Sequence, residues 1–365
     1  MNEALSNLAD DFFKNSLDSS PTSAIMRGYK EYFDQIEELT ETRFDQNLKD
    51  LDKFEKRLKE INFDNLSNKE KVTYGMLEYA FGSNKDSLLD KSWEFGAGVS
   101  GFTGYLIDYN QQMFIPDLES ADLLLKRLEL YNQFFNQVSS VQKKGLNENR
   151  VATERNLLRT IDQIESYLKT SLEEDPLLLV NFSPEVSEED VSSWKNKAKL
   201  IIESHVRPSV NSYLEQLKSE HLPKGRSDMN PGIMWIEGGD DIYLRSLKKF
   251  TGNKDITVKE VHETGLSEIK RLKKEFFEIG KNVFADVTTP EEVIYKMQTE
   301  PSMRFESKEQ MLQMAEDIIK RAYEPLADWF TVFPKAPCNV LPVPEESEKH
   351  APPAYYYSPL PDGSR

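Results

Sequence analysis

Apolar residues recur every three or four positions along much of the chain, and this spacing predicts amphipathic helices. Two such rows are Leu124, Leu128, Tyr131, Phe135 and Val138, and then Leu157, Ile161, Ile164 and Leu168. Each row lies on one helix face because a helix has a period of about 3.6 residues. The stretch Lys144-Gly145-Leu146-Asn147 between the rows is typical of a helix end followed by a turn. We therefore expect an antiparallel hairpin of two long helices.

Three predicted helix starts carry Ser or Thr followed three residues later by Glu or Gln, which is the capping-box pattern. They are Ser67 with Glu70, Thr257 with Glu260, and Ser307 with Gln310. Apolar faces follow the second and third starts, and we expect the face that follows the third start to be buried. The first face is Val258, Val261, Gly265, Ile269, Leu272, Phe276 and Ile279, and the second is Met311, Met314, Ile318 and Ala322. A further helix is predicted over residues 188–220, with a kink at Pro208 because proline removes one backbone hydrogen bond.

Two stretches depart from the helical pattern. Residues 92–118 are rich in Gly and aromatic residues, which predicts a long ordered loop of the kind that packs across a cleft. After Phe333, prolines alternate with Val and Leu, and the run 354–359 (Ala-Tyr-Tyr-Tyr-Ser-Pro) predicts an extended segment at a sheet edge, where proline is tolerated. The sequence ends on Asp362-Gly363-Ser364-Arg365. Because Asp-Gly normally leads through a turn into another element, we expect the chain to be incomplete at its C terminus.

The pattern as a whole predicts a mostly α protein. We expect a bundle of long amphipathic helices that forms one wall of a cleft, with a short extended β segment near the C terminus. The predicted parts are an N-terminal helical region at 1–91, the loop at 92–118, a helical hairpin and kinked helix at 119–222, and a central turn, helices and extended segment at 223–365. A chain of 365 residues is long enough to bury a sizeable core, and we expect these parts to form one continuous domain.

Charge and hydropathy narrow the classes of partner. The chain has 46 Lys and Arg against 63 Asp and Glu, a formal net charge of −17. This charge argues against nucleic acid, which requires a basic surface. No aliphatic run approaches the roughly 18 residues of a membrane span, and the N terminus has no signal-peptide pattern. We expect a soluble chain, either cytoplasmic or exported with a leader removed, and the sequence leaves its oligomeric state open.

Histidine-based metal chemistry finds little support in the residues. His262-Glu263 begins like the His-Glu-x-x-His zinc motif, but the position of the second histidine holds Leu266. We therefore interpret the pair as the polar flank of a helix. His205 is expected to be a half-buried packing residue and His221 a cation at a helix C terminus. His350 lies in a loop rich in Pro and Glu and has no evident partner.

Three other stretches invite a functional interpretation but favour a structural one. The segment 96–101 (Gly-Ala-Gly-Val-Ser-Gly) has the dinucleotide-binding spacing, but no helix opening follows it. We expect an irregular loop there. The acidic stretch 235–243 lacks EF-hand spacing, and we expect a turn with Asp as the N-cap of the next helix. Cys338 is the one cysteine and has no nearby histidine, so a nucleophile is not predicted.

Short segments of the chain follow one another in a distinctive order. They are Leu8-Ala9-Asp10-Asp11-Phe12-Phe13, Phe114-Ile115-Pro116, His205-Val206-Arg207-Pro208-Ser209, Tyr243-Leu244-Arg245-Ser246-Leu247, Val261-His262-Glu263-Thr264-Gly265 and Asp362-Gly363-Ser364-Arg365. In order and spacing, these segments resemble the zincin-like family catalogued as domain of unknown function 885, many members of which are bacterial lipoproteins. The resemblance extends over most of the 365 residues.

The resemblance implies a zinc metallopeptidase-like protein. In that family the zinc motif, His-Glu followed by Pro-Gly-His-His, comes shortly after the Asp-Gly-Ser-Arg segment, and this sequence ends first. The resemblance therefore implies zinc in the full-length protein, and neither a zinc ligand nor a catalytic residue in this chain. Zincin-type peptidases commonly pair a substrate backbone with an extended edge strand. By position, we predict that Tyr355, Tyr356 and Tyr357, together with Arg365, bind a peptide substrate.

Two functions of different classes follow from these observations. The first is the N-terminal segment of a zinc metallopeptidase-like protein that hydrolyses peptide bonds, with this chain inactive by itself. The alternative is a non-catalytic helical binding module for a peptide or a small apolar ligand, which the missing zinc motif and the aromatic loop at 92–118 favour. The coding sequence after Arg365 discriminates between them, since a zinc motif favours the peptidase and a stop codon favours the module.

Overall fold

The computed structural model describes residues 2–97, 110, 113–333, 336–343 and 354–356. The chain divides into two compact units, Met1–Lys254 and Asp255–Arg365. Each unit is built mainly from helices, as the apolar periodicity predicts. The division into four parts suggested by the sequence stays a prediction.

Helices α1–α10 and a pair of two-residue strands form the first unit. The helices are α1 Glu3–Ser19, α2 Pro21–Met26, α3 Glu41–Lys59, α4 Asn68–Asp90, α5 Leu118–Glu129, α6 Tyr131–Asn147, α7 Glu154–Lys169, α8 Glu188–Ile201, α9 Arg207–Gln216 and α10 Gly239–Thr251. Strands β1 (Phe114–Ile115) and β2 (Asn181–Phe182) pair in parallel. The described residues 336–343 and 354–356, where the sequence predicts an extended β segment, carry no strand.

Two apolar cores hold the first unit together. In the smaller core, Leu5 and Leu8 of α1 pack with Phe54 of α3 and Phe81 of α4, and the rings of Phe54 and Phe81 stack at 5.8 Å between centroids. The larger core lies among α5–α9 and includes the fully buried Trp194. The Trp194 indole N–H donates to a backbone carbonyl of α5 at 2.7 Å. Large side chains are thus buried with their polar atoms paired, as stable cores require.

The predicted helical hairpin differs from the observed packing. The first apolar row is divided at Leu130, where α5 ends and α6 begins, and α6 then runs to Asn147 as the turn signal predicts. Helix α9 packs against both α6 and α7, and the ring of Tyr213 on α9 lies 5.7 Å from that of Phe135 on α6. The helices that carry the two rows therefore pack against α9 more than against each other. The local spacing of apolar residues does not reveal this third helix.

The helical stretch from Glu188 to His221 is interrupted as Pro208 predicts. A π-helical turn, Ile202–Val206, separates α8 from α9, and Pro208 lies in the first turn of α9. Proline has no backbone N–H to donate, and the π turn lies where the regular hydrogen-bond ladder of the helix is broken. A second π turn, Leu217–His221, follows α9.

The second unit contains α11 Val258–Val283, α12 Pro290–Thr299, α13 Lys308–Tyr323 and α14 Leu326–Trp329. Helix α11 starts with the predicted capping box, in which Thr257 and Glu260 exchange hydrogen bonds. Gly280 of α11 lies against Val293 of α12, so closely that a Cβ at Gly280 would overlap the valine methyl groups. Among the described residues of this unit, only Gly280, Val287 and Val293 are buried.

The predicted burial of the apolar face of α13 is wrong in the described part of the chain, and the apolar face of α11 is exposed as well. On α11, Ile269, Leu272 and Ile279 are 54%, 52% and 63% exposed. On α13, Met311 and Met314 are 47% and 50% exposed. The spacing correctly predicted amphipathic helices, but amphipathicity states only that a face is apolar, and not that a partner covers it.

Candidate functional site

The predicted substrate-binding segment lies partly within the described structure. Tyr355 and Tyr356 are 47% and 70% exposed. Tyr357 and Arg365 lie outside the described residues. The two described tyrosines therefore present aromatic rings at the surface, where side chains of this type can contact an extended peptide.

His262 and Glu263 lie on the exposed surface of α11, one turn after its start. Glu263 pairs with Lys259 at 3.7 Å, an ordinary ion pair between residues four apart on a helix. Leu266, at the position where a zinc motif needs histidine, is exposed. Over the described residues, no group of three or more His, Cys, Asp or Glu is arranged to hold a metal ion. His262 and Glu263 therefore lie on an exposed, polar side of a helix, as the sequence predicts.

One of the other histidines differs from its predicted surroundings. His205 lies in the first π turn and is exposed rather than half-buried, and its Nδ1 lies 2.8 Å from the Ser204 hydroxyl. His221, expected at a helix C terminus, lies in the second π turn and is 4% exposed, and its Nδ1 lies 3.5 Å from the Gln216 carbonyl oxygen. His350 lies outside the described residues. Cys338 is exposed, and its backbone N–H donates to the Tyr323 hydroxyl at 3.3 Å.

The Gly-rich stretch is described only as far as Ala97, and residues 98–101 of the dinucleotide-like spacing lie outside the described structure. The carbonyl of Gly96 accepts a hydrogen bond from the Gln142 side chain at 3.0 Å. The side-chain amide oxygen of Gln142 accepts in turn a hydrogen bond from the Tyr213 hydroxyl at 2.9 Å. Burial raises the pKa of that hydroxyl well above its usual value, so Tyr213 acts here as a neutral donor. This chain of hydrogen bonds fixes the start of the segment on α6 and α9.

A buried ion pair that no sequence pattern predicted lies next to this stretch. Glu94 and Arg150 are 3% and 8% exposed, and their Oε2 and Nε atoms are 2.7 Å apart. Arg150 also donates to the backbone carbonyls of Asp90 and Glu237 at 2.5 and 2.8 Å. The Phe95 ring centroid lies 5.1 Å from its guanidinium carbon. Arg150 therefore joins the end of α4, the Gly-rich stretch and the acidic turn, which are far apart in sequence.

The acidic stretch 235–243 forms a turn into α10, as predicted, but with a different cap. Gly238, in the left-handed conformation at φ 72°, is the N-cap of α10 rather than an aspartate. Asp240 and Asp241 lie in the first helical turn, where carboxylates are favoured by the helix dipole. On the same helix, Arg245 donates to an Asp90 carboxylate oxygen at 2.5 Å. The acids of this turn thus serve the helix start and leave no calcium-type arrangement.

An open groove of about 460 Å³ lies along α7 in the first unit. Its lining residues are Glu154, Arg155, Leu158, Arg159, Asp162 and Asp228. Arg155 and Asp228 pair at 2.6 Å, and both are largely exposed. Charges of opposite sign compensate each other in this groove, and it holds no buried polar group aimed at a ligand.

The protein is mostly helical, as the sequence predicts. It is built from two units and carries the exposed aromatic residues Tyr355 and Tyr356. The chain belongs to the family described as "Bacterial protein of unknown function (DUF885)", whose profile matches residues 21–365. No curated protein matches it.

A solved structure shows the same fold. It is the crystal structure of "the putative lipoprotein from Colwellia psychrerythraea", which matches with a TM-score of 0.84 at 19% sequence identity. The match covers 99% of this chain and 66% of that chain, so a third of the related protein has no counterpart here. Among the described helices, none has the length and apolar character to cross a lipid bilayer.

Proposed function

We propose that this chain is the N-terminal part of a zinc metallopeptidase-like protein that hydrolyses peptide bonds. The zinc ion and its ligands belong to a further segment, and this chain supplies part of the substrate-binding surface. Zinc would activate a water molecule for attack on the amide carbonyl, with a glutamate of the zinc motif as general base. The motif resemblance across the chain supports this proposal, and family membership is consistent with it.

The observation that carries the substrate-binding part is the exposed pair of tyrosines at 355 and 356. An extended segment can add a peptide as a further strand, with hydrogen bonds between the two backbones. Exposed aromatic rings then provide apolar contact with alternate side chains of the peptide. We propose that Tyr357 and Arg365 also bind the substrate, and a guanidinium such as that of Arg365 pairs well with a carboxylate.

Kinetics of the longer polypeptide test the role of the tyrosines. Changing Tyr356 to Ala should raise KM or lower kcat for a peptide substrate, since the ring contributes contact with the bound peptide. Tyr295→Ala is the matched control, because Tyr295 is equally exposed on α12 and is not part of the proposed surface. Unchanged kinetics for Tyr356→Ala, or an equal loss in the control, would contradict the assignment.

The second candidate function is a non-catalytic binding module for a peptide or a small apolar ligand. The aromatic residues of the stretch 92–118 favour it. A module would be complete without zinc and would bind its ligand as the 365-residue chain alone. A reading frame that stops at Arg365, together with peptide binding by this chain, would replace the peptidase proposal with this one.

A further inference from the structure

Helices α11 and α13 each present a row of apolar side chains that the described structure leaves about half uncovered. On α11 the row runs from one end to the other: Val258, Leu266, Ile269, Leu272, Ile279 and Val283. On α13 it includes Met311, Met314 and Ile318. Single exposed apolar residues are common on protein surfaces, but rows at helical spacing mark a face that packs against something.

Exposed charged side chains border the apolar row of α11. Arg271 pairs with Glu268 and Glu275, each at 2.7 Å, and Arg271 and Glu275 line the same shallow depression as Ile279 of the row. Helix α12 contacts α11 at Gly280 and leaves Leu272 and Ile279 exposed. The row is therefore a distinct surface, with charged residues of both signs along its borders.

This surface needs a permanent occupant. The described part of the second unit buries only Gly280, Val287 and Val293, and small units with so little buried surface are not stable by themselves. An apolar surface that completes a core in this way is typical of obligate contacts, which resemble a domain core cut in half. A transient peptide or a small ligand would leave most of the row in water between binding events.

We propose that the apolar faces of α11 and α13 pack against a further segment of the same polypeptide, the one that carries the zinc site. This inference rests on the proposed function for the identity of that segment. Its independent support is the Colwellia structure, whose chain shares this fold and extends by a third beyond the match. The contact is mainly apolar because the row itself is apolar. Charged residues of both signs, such as Arg271 and Glu275, lie beside Ile279, so the contact requires no partner with a strong net charge.

Cysteine accessibility tests the proposal in the 365-residue chain and in the longer polypeptide that its gene encodes. Both carry Cys338→Ser to remove the exposed native thiol. Leu272→Cys places a thiol in the row, and Lys274→Cys places the control thiol at an exposed position of α11 that is not part of the row. The rate of alkylation by iodoacetamide is measured by mass spectrometry. In the short chain the two thiols should react at similar rates, whereas in the longer polypeptide Leu272→Cys should react at least about tenfold more slowly and Lys274→Cys unchanged.

Three results would overturn the proposal. The first is that Leu272→Cys reacts equally fast in the 365-residue chain and in the longer polypeptide. The second is that it reacts slowly already in the 365-residue chain. The third is that the reading frame contains no further segment. The second result would assign the face to another copy or to another part of this chain. Zinc content and peptide hydrolysis, measured on the same longer polypeptide, separate the two proposals. Protection of Leu272→Cys without peptide hydrolysis would support the proposed interface and contradict the peptidase proposal. Peptide hydrolysis without protection would support the peptidase proposal and contradict the interface.

Discussion

Gly145 lies where the end of α6 passes the backbone of Glu94, and replacing it with Ala should destabilise the first unit. An alanine Cβ would lie 2.7 Å from the Glu94 Cβ and 2.9 Å from its carbonyl carbon, and closer still to the carbonyl oxygen. Such separations are below van der Waals contact, so the backbone around Glu94 must move. That movement also displaces the carboxylate from Arg150, 2.7 Å away in the native structure.

The expected size of the effect follows from two opposing contributions. Overpacking against a fixed neighbour costs about 1–3 kcal/mol, and the better helix propensity of Ala returns at most about 1 kcal/mol. We expect a net loss of about 1–2 kcal/mol in the free energy of unfolding. Gly75→Ala is the matched control, because Gly75 lies within α4 with nothing within 4 Å of the added Cβ. That change should stabilise the protein by about 0.5–1 kcal/mol.

Urea unfolding followed by far-ultraviolet circular dichroism measures both changes. The transition midpoint should fall for Gly145→Ala and rise for Gly75→Ala, with the same denaturant dependence as the wild-type chain. A Gly145→Ala protein as stable as the wild type, measured beside a stabilised Gly75→Ala, would refute the close approach of α6 to Glu94.

Two further predictions concern ion pairs in the first unit. Arg150→Met should destabilise it by about 3–5 kcal/mol, because it leaves the buried Glu94 carboxylate without its partner. The exposed control Arg155→Met should cost at most about 1 kcal/mol, and similar losses in the two urea titrations would contradict the burial of the first pair. The Lys30 ammonium hydrogen bond, with those from Ser120, lowers the pKa of Asp117 to about 2. The resulting stability is present above the unfolded pKa of about 4 and is lost as pH falls towards 2. Asp117→Asn should therefore unfold more easily at pH 7, by less than about 1 kcal/mol because the pair is partly exposed, and the difference should vanish near pH 2. A difference that persists at pH 2 would show that the charge is not its cause.

Features set by neighbouring residues were predicted well from the sequence. The capping box at Ser67 and Glu70 is present, with the Ser67 backbone N–H donating to the Glu70 carboxylate at 2.8 Å. The interruption near Pro208 and the end of α6 at Asn147 are also where the residues place them. Each depends on residues within one or two helical turns, so the sequence contains all the necessary information.

Features that depend on distant residues were not predicted. Glu94 and Arg150 carry no local signal of pairing, and only the folded chain brings their charges together. The spacing of Ile269, Leu272 and Ile279 identified an apolar face but could not state what covers it. The candidate site has the same limit, since its tyrosines were found by their position in a resemblance and the described structure adds only their exposure.

Peptide hydrolysis by the longer polypeptide, before and after zinc removal, tests the central claim most directly. The claim predicts cleavage of a peptide substrate that is lost with a chelator and restored by zinc, while the 365-residue chain is inactive under both conditions. Zinc bound without any cleavage, cleavage that survives the loss of zinc, or a reading frame that ends at Arg365 would contradict it.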